Sequence, residues 1–558
     1  MARKKDEDVL SEQLETTHPD YSIWKSVWEK DQDASDGEDI IKLKGETYLP
    51  KTSLMELSTV GDELYENYKM RASYFNGTGR TVDGLQGLVF RNKVKINLPE
   101  IFIPWIEDFT MNNESLESFV KKYINQIIVK NRVGLFIDYP VKSEEMTVKE
   151  SENLNYRPFA IMYQAESILD WDEERIGNVF KTSFVMLKET ERRRNDLIIE
   201  VVEKRRILDL SIDQEEMERL IDQLLSSTNE KINKKDLESE ILRIQSTLPR
   251  YYRQRVYEKV IDSNLANFDA SKEKWKIVQE FFPTDAKGNR FNSIPFFCTT
   301  DREENWNLDY SMINDLADVN IAHYRNSADL ENLLHVGGNP TACVKGLISN
   351  RISNPNIEEH PSSTDTQVPL GINSLLEFET DGNSWFLEAN LKGADSLMKS
   401  METKKNEMAL LGTRIIASDP KGVESAETAN IHRAGEQGVL TTMVGSTEST
   451  MKKALSFMYM WQTGTNISLK DIGVEFNRKF TPEGVDPSTV SVAIQALQEG
   501  EISSREFYGL LQRGEWVNPD VSYEEHLKEI EADKERKGST EPSLFEQRGE
   551  VPPFQGNE

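Results

Sequence analysis

Apolar positions recur every three to four residues along three stretches in the C-terminal half of the chain. In the N-terminal half they fall mostly into short runs. Over 308–335, Ile313, Leu316, Asn320, Tyr324 and Leu330 lie near one helical face, and Asn339-Pro340 stops the helix. A segment with strand character follows, to about residue 392. A second helix is expected over 393–417, with an apolar stripe of Leu397, Met401, Met408, Leu411 and Ile415 that needs a partner along its length. A third runs from Ser425 to Trp461, striped by Leu440, Val444, Met451, Leu455 and Met458. Pro420 and Gly422, just past the second helix, force the chain out of helical geometry. The pattern predicts a shaft of two antiparallel helices with a small β-rich module at its tip.

Upstream, the spacing predicts a helix through Tyr65, Tyr68 and Tyr74, and another beginning at Asn113-Glu114-Ser115 with Leu116, Phe119, Val120, Tyr123, Ile124 and Ile127 on one face. Short strands are expected at 134–138, 156–163, 184–187, 251–260 and 275–282, with a turn at 285–289 leading to Ile294-Pro295-Phe296-Phe297. Between them, 213–245 has the narrow stripes of two charged amphipathic helices, an insertion. Past Trp461 the signals are helix caps: Asp486-Pro487 opens one helix, Gly500 follows its end, and Ser503 to Glu506 has the spacing of a capping box. Residues 1–40, polar and charged, are expected to be a flexible arm, and 534–558 a disordered tail.

Charge narrows the partners. With 96 acidic and 67 basic residues the net charge is −29, which argues against a general grip on phosphate but not against a duplex that must slide past an acidic wall. Cys298 and Cys343 form no CxxC pair, so a reducing compartment is the expectation. The N-terminus has no apolar core of a signal peptide, and no run approaches membrane-spanning length.

Catalytic patterns are absent. There is no GxxxxGK[ST] loop and no GxSxG. Gly77-Thr78-Gly79 with Gly84 matches a dinucleotide loop poorly and reads as a backbone turn. The histidines have no zinc spacing, and His323 with His335 on one helix reads as helix packing. Asp196, Glu200, Glu203 and Lys204 approach a nuclease composition, but a solvated strand edge explains them better. No enzyme activity, cofactor or metal is expected.

Several motifs resemble a portal-type family of tailed double-stranded DNA bacteriophages. They are Y-L-P-K at 48–51, R-A-S-Y-F-N-G-T-G-R-T-V-D-G-L-Q-G-L-V-F at 71–90, and R-P-F-A-I-M-Y-Q-A-E-S-I-L-D-W at 157–171. D-L-A-D-V-N-I-A-H-Y-R-N-S-A-D-L-E at 315–331, A-L-L-G-T-R-I-I at 409–416 and S-A-E-T-A at 425–429 complete the set. Their order spans roughly 45–530; the first forty residues and the 213–245 insertion lie outside it.

The resemblance implies an α+β portal fold with an α/β wing, a two-helix stem, a small β-rich clip and a helical crown, assembling as a ring, usually a dodecamer. On this chain it implies wing 41–307, stem helices 308–336 and 393–417, and clip 337–392. A tunnel loop at 418–425, a long wing helix at 426–462 and a crown at 463–533 complete the division. It further implies a channel at one capsid vertex of the virion, assembled in the host cytoplasm, through which DNA is packaged and ejected. The terminase large subunit, a tail adaptor, and major capsid and scaffolding proteins would be partners, with no membrane. Lys421 is the expected DNA contact, in a loop with Asp419, Pro420, Gly422 and Glu424. Lys345 and Arg351 are second candidates, in the clip that would dock motor and adaptor. The alternatives are another virion or head-completion protein without a central hole, and a nuclease built on the Asp196 cluster.

Overall fold

A computed structural model of the chain describes residues 2–140, 155–176, 178–213, 217–222, 243, 248–261, 273–338, 341–347, 378–387, 392–416, 426–478, 487–514, 516–518 and 521–538. The fold is α+β, and the chain divides into two compact units, Met1–Arg478 and Lys479–Glu558.

The segment expected to be a flexible arm is helical. It forms α1 (Ala2–Glu15), α2 (Tyr21–Asp36) and α3 (Glu38–Lys44). Its charge masks a sparse apolar set, in which Leu14, Tyr21, Trp28, Ala34 and Ile41 are all buried. Leu14, Tyr21 and Trp28 pack with Leu169, Met186, Ile207 and Trp275 from the strands that follow. Burying one such large side chain contributes roughly 1.5–3 kcal/mol, which fastens the helices to the strands they cover.

Next come α4 (Ser53–Leu57), α5 (Gly61–Arg71) and α6 (Gly77–Val89). The Gly77-Thr78-Gly79 stretch is therefore the first turn of a helix and not a free-standing turn. Asn76 Oδ1 caps it by accepting the Gly79 N–H at 2.8 Å. Glycine is required at 79, because a Cβ there would lie 2.5 Å from the Ser35 carbonyl oxygen.

After β1 (Lys95–Asn97) and α7 (Ile103–Glu107), α8 (Leu116–Lys130) buries the predicted face and is capped by Ser115. It ends on left-handed Asn131 and feeds β2 (Val133–Asp138), buried at every residue. β2 is the middle of a three-stranded antiparallel sheet, between β3 (Phe159–Gln164) and β9 (Phe296–Thr299).

Between those two edge strands the chain builds a five-stranded antiparallel meander. Its strands are β4 (Ile168–Ile176), β5 (Val179–Asn195), β6 (Ile198–Ile212), β7 (Arg250–Ile261) and β8 (Glu273–Phe281). β5 and β6 run longer than their apolar pattern predicts, because charged cross-strand partners extend the ladder, among them Lys188 with Glu203 at 3.5 Å. Asp196 sits at the turn of this hairpin, Glu200 pairs across from Arg193, and Glu203 holds Arg205 at 2.6 Å. Most of the 213–245 insertion lies outside the described residues; 217–222 are helical.

α9 (Asn314–Gly338) begins later than the expected 308. The residues before it are held in non-helical form by Ser311 Oγ donating to buried Asp31 and by Tyr310 packed at a tilt against Trp24. Then come β10 (Thr341–Leu347), β11 (Phe378–Leu387), α10 (Lys392–Ile416) and α11 (Ala426–Thr463). β12 (Gly473–Glu475) pairs with β1, which places 463–478 in the first unit and not with the helices that follow.

The second unit holds α12 (Pro487–Glu499), α13 (Ser504–Arg513) and α14 (Tyr523–Gly538). Gly500 at φ 77° follows α12, and the Ser503–Glu506 capping box is complete. Ser522 and Glu525 form a matching cap on α14. α14 continues past 534, where a tail was expected; 539–558 lie outside the described residues.

Candidate functional site

α9 and α10 lie side by side and antiparallel. Asn326 Nδ2 donates to Ser400 Oγ at 2.9 Å, and Lys404 Nζ reaches the Ala322 carbonyl at 3.5 Å. Farther along, Leu333 stands beside Gly393. Each step up one helix is matched by a step down the other. The antiparallel β10–β11 pair joins their far ends, giving the helix–hairpin–helix that the periodicity predicts. The stripe on α10 is thin: Met408 is buried, Leu397, Met401 and Leu411 are partly covered, and Met398 and Leu410 remain 46 % and 53 % exposed. α11 differs, for all five of its predicted stripe residues are buried. Its Thr450 meets Thr299 of β9 at 2.9 Å.

α6 is keyed into the α9–α10 pair through Asn320, which is fully buried. Asn320 Oδ1 accepts the Gly77 and Thr78 N–H groups, each at 3.0 Å, and the Thr78 hydroxyl at 3.1 Å. Its Nδ2 donates to the Phe75 carbonyl at 2.8 Å. The opening N–H groups of a helix have no acceptor within it, so α9 supplies one. Close approach on the α10 side depends on Gly412, where a Cβ would lie 2.8 Å from Thr81 Oγ1.

This junction gathers cations. The Arg80 guanidinium lies 5.3 Å from the centre of the Phe75 ring, the Lys405 ammonium 5.5 Å, and the His323 ring 6.1 Å. Lys404 is next to them, half-buried, whereas Arg80 and Lys405 are exposed. Among the described residues none of Arg80, Lys404 and Lys405 pairs with a carboxylate. His323 is buried with Nδ1 unpartnered. Its pKa is pushed below the usual imidazole range by burial, then by Lys404 and Lys405. In a chain of net charge −29, two uncompensated cations over one aromatic ring, with Lys404 beside them, form a surface suited to holding an anion such as a phosphodiester.

Of the residues singled out in the sequence, Lys345 lies exposed on β10, opposite Asn383. Lys421, Asp419, Pro420, Gly422, Glu424 and Arg351 lie outside the described residues. The Arg80–Lys404–Lys405 group was missed. Its only signal in the sequence is the adjacent lysine pair on the polar side of 393–417, and Arg80 joins it through the packing of α6 on Asn320 and Gly412. Among the described residues no helix is long and apolar enough to cross a membrane, and no three His, Cys, Asp or Glu side chains are grouped to hold a metal ion.

A family model described as "Domain of unknown function (DUF4055)" matches residues 312–462. The match takes in α9, the β10–β11 pair, α10 and nearly all of α11. No curated protein matches the chain.

Proposed function

We propose that this chain is the subunit of a portal ring, a conduit at one vertex of a tailed-phage capsid through which double-stranded DNA passes in packaging and ejection. The observation that carries the reading is the antiparallel α9–α10 pair with a hairpin at its tip, bearing unpaired cations in a strongly acidic chain. The α9–α10 pair would be the stem, β10–β11 the clip that docks terminase and tail adaptor, and α11 the long wing helix. Residues 418–425 would be the tunnel loop.

The chemistry required is non-covalent. An acidic wall repels the duplex, and a few cations give brief contact that does not hold it. A single phosphate contact changes affinity little, which suits translocation. The thin stripe and exposed apolar residues of α10 suit a helix that meets a neighbouring subunit, as an obligate ring interface requires. Arg80, Lys404 and Lys405 join Lys421 as expected DNA contacts.

Native mass spectrometry and negative-stain imaging test the assembly. The expected particle is a ring with a central opening near 0.8 MDa, about twelve copies of the chain. A monomer, or a closed particle without an opening, would overturn the reading. Lys404→Glu with Lys405→Glu should leave the ring intact and lower the salt-dependent retention of duplex DNA.

A further inference from the structure

The β5–β6 hairpin projects beyond its sheet. β4 pairs with β5 only as far as Leu187, and β7 pairs with β6 only from Lys204 onward. Residues 188–203 therefore form a two-stranded arm, closed by a turn at Asp196 and Leu197 with Asp196 at φ 55°. Such an arm is marginal in water unless something covers it. Arg192 stands opposite Val201 and Arg194 opposite Ile199, so these four share one face. All four are exposed, and Leu197 at the tip is 83 % exposed. Neither arginine pairs with a carboxylate among the described residues.

Elsewhere in the same unit lies an open cleft of about 540 Å³ whose chemistry is the reverse. Its walls include Asp20 from the start of α2, Asp172 and Glu173 from β4, and the rings of His18, Trp171 and Trp306. His18 stacks on Trp171 at 4.0 Å, and Trp171 on Trp306 at 5.9 Å. Buried Arg132 lies 4.0 Å from the Trp171 ring and 5.3 Å from that of Trp306, which fixes both. Asp172 and Glu173 make no ion pair among the described residues. Burial, then the neighbouring Asp172 charge, raises the Glu173 carboxyl above its usual range. Carboxylates beside tryptophan faces are what a guanidinium prefers.

We infer that the Arg192–Arg194 face of the hairpin in one copy docks into the Asp172–Glu173–tryptophan cleft of the next copy. A copy cannot fill its own cleft. Asp172 pairs with Phe184 and Glu173 with Thr182, so Arg192 is eight to ten residues farther along β5, roughly 26–33 Å at about 3.3 Å per residue. A projecting knob and a distant socket on one chain make a heterologous contact, which closes into a ring when the rotation per copy divides the circle. The inference rests on the ring reading and names one contact that would hold it.

Charge reversal tests it. One variant carries Arg192→Glu and Arg194→Glu, the other Asp172→Lys and Glu173→Lys. Each alone should assemble at least tenfold more weakly than the unaltered chain in sedimentation at matched concentration. An equimolar mixture should regain assembly, because each reversed knob then meets a reversed socket. Regained assembly also shows that both variants fold. Ile199→Ser with Val201→Ser supplies a milder knob variant with the same expected weakening. If both reversals assemble like the unaltered chain, this contact is wrong while the ring stands. If the unaltered chain stays monomeric and the mixture does not associate, contact and ring fall together.

Discussion

Asn320→Ala should loosen α6 from the helix pair more than any other single change at this junction. The side chain makes four hydrogen bonds at 2.8 to 3.1 Å, all from a fully buried position. A typical bond contributes about 1 kcal/mol, and a buried donor left unpaired costs roughly 1–3 kcal/mol. The Thr78 N–H has no acceptor within α6 to turn to, whereas the Gly77 N–H and the Phe75 carbonyl keep each other at 2.7 Å. Counting the Thr78 N–H and hydroxyl as unpaired and the Gly77 and Phe75 groups as each losing one of two bonds, and allowing for some entry of water, the loss is about 2–4 kcal/mol. Thr78→Val removes only the hydroxyl bond and should cost about 1 kcal/mol. Denaturant unfolding followed by tryptophan fluorescence reads the total, and amide exchange reads the place. In Asn320→Ala the Thr78 amide should exchange roughly a hundredfold faster, since each 1.4 kcal/mol is a factor of ten. Because Arg80 is on α6 and Lys404 and Lys405 are on α10, duplex retention should fall as well. An Asn320→Ala midpoint within about 0.5 kcal/mol of Thr78→Val, with unchanged exchange at Thr78, would refute the bond accounting.

His323 has a lowered pKa in the folded state, so unfolding takes up a proton. Stability should be full above the ordinary histidine pKa near 6.5 and fall as pH drops below it; His323→Gln should flatten that acid limb in pH-resolved thermal unfolding. Asp31 shows the opposite slope. Burial, opposed by the Ser311 hydroxyl, raises its carboxyl to about 6, so its ionised form burdens the fold above that pH and the burden lifts toward pH 4. Asp31→Asn is expected to stabilise the protein at pH 8 by up to roughly 2 kcal/mol and to have little effect near pH 4, measured by denaturant midpoints at the two values. In the second unit, Ser503→Ala should remove half of the capping box and lower helicity there by circular dichroism, at a cost of about 1 kcal/mol.

Local pattern was enough wherever an element buries one continuous face. α8 with its Ser115 cap, all-buried β2, α11 and the Ser503 cap could be placed from spacing alone, because the 3.6-residue and two-residue periods act over a few neighbouring residues. The order of helix, hairpin, helix and long helix was legible for the same reason. What spacing could not supply was any relation across long separations. Residues 1–40 look like a flexible charged arm until the β4–β8 meander offers Leu14, Tyr21 and Trp28 a surface. Gly77-Thr78-Gly79 looks like a turn until Asn320, far along the chain, accepts its N–H groups. Arg80 and Lys405 are ordinary exposed cations until α6 and α10 meet over Phe75. Side-chain type and period determined which segments fold into helices and strands. Only the tertiary contacts decided which charges share a surface, because electrostatic and hydrogen-bond energies depend on distance in space and not on separation along the chain.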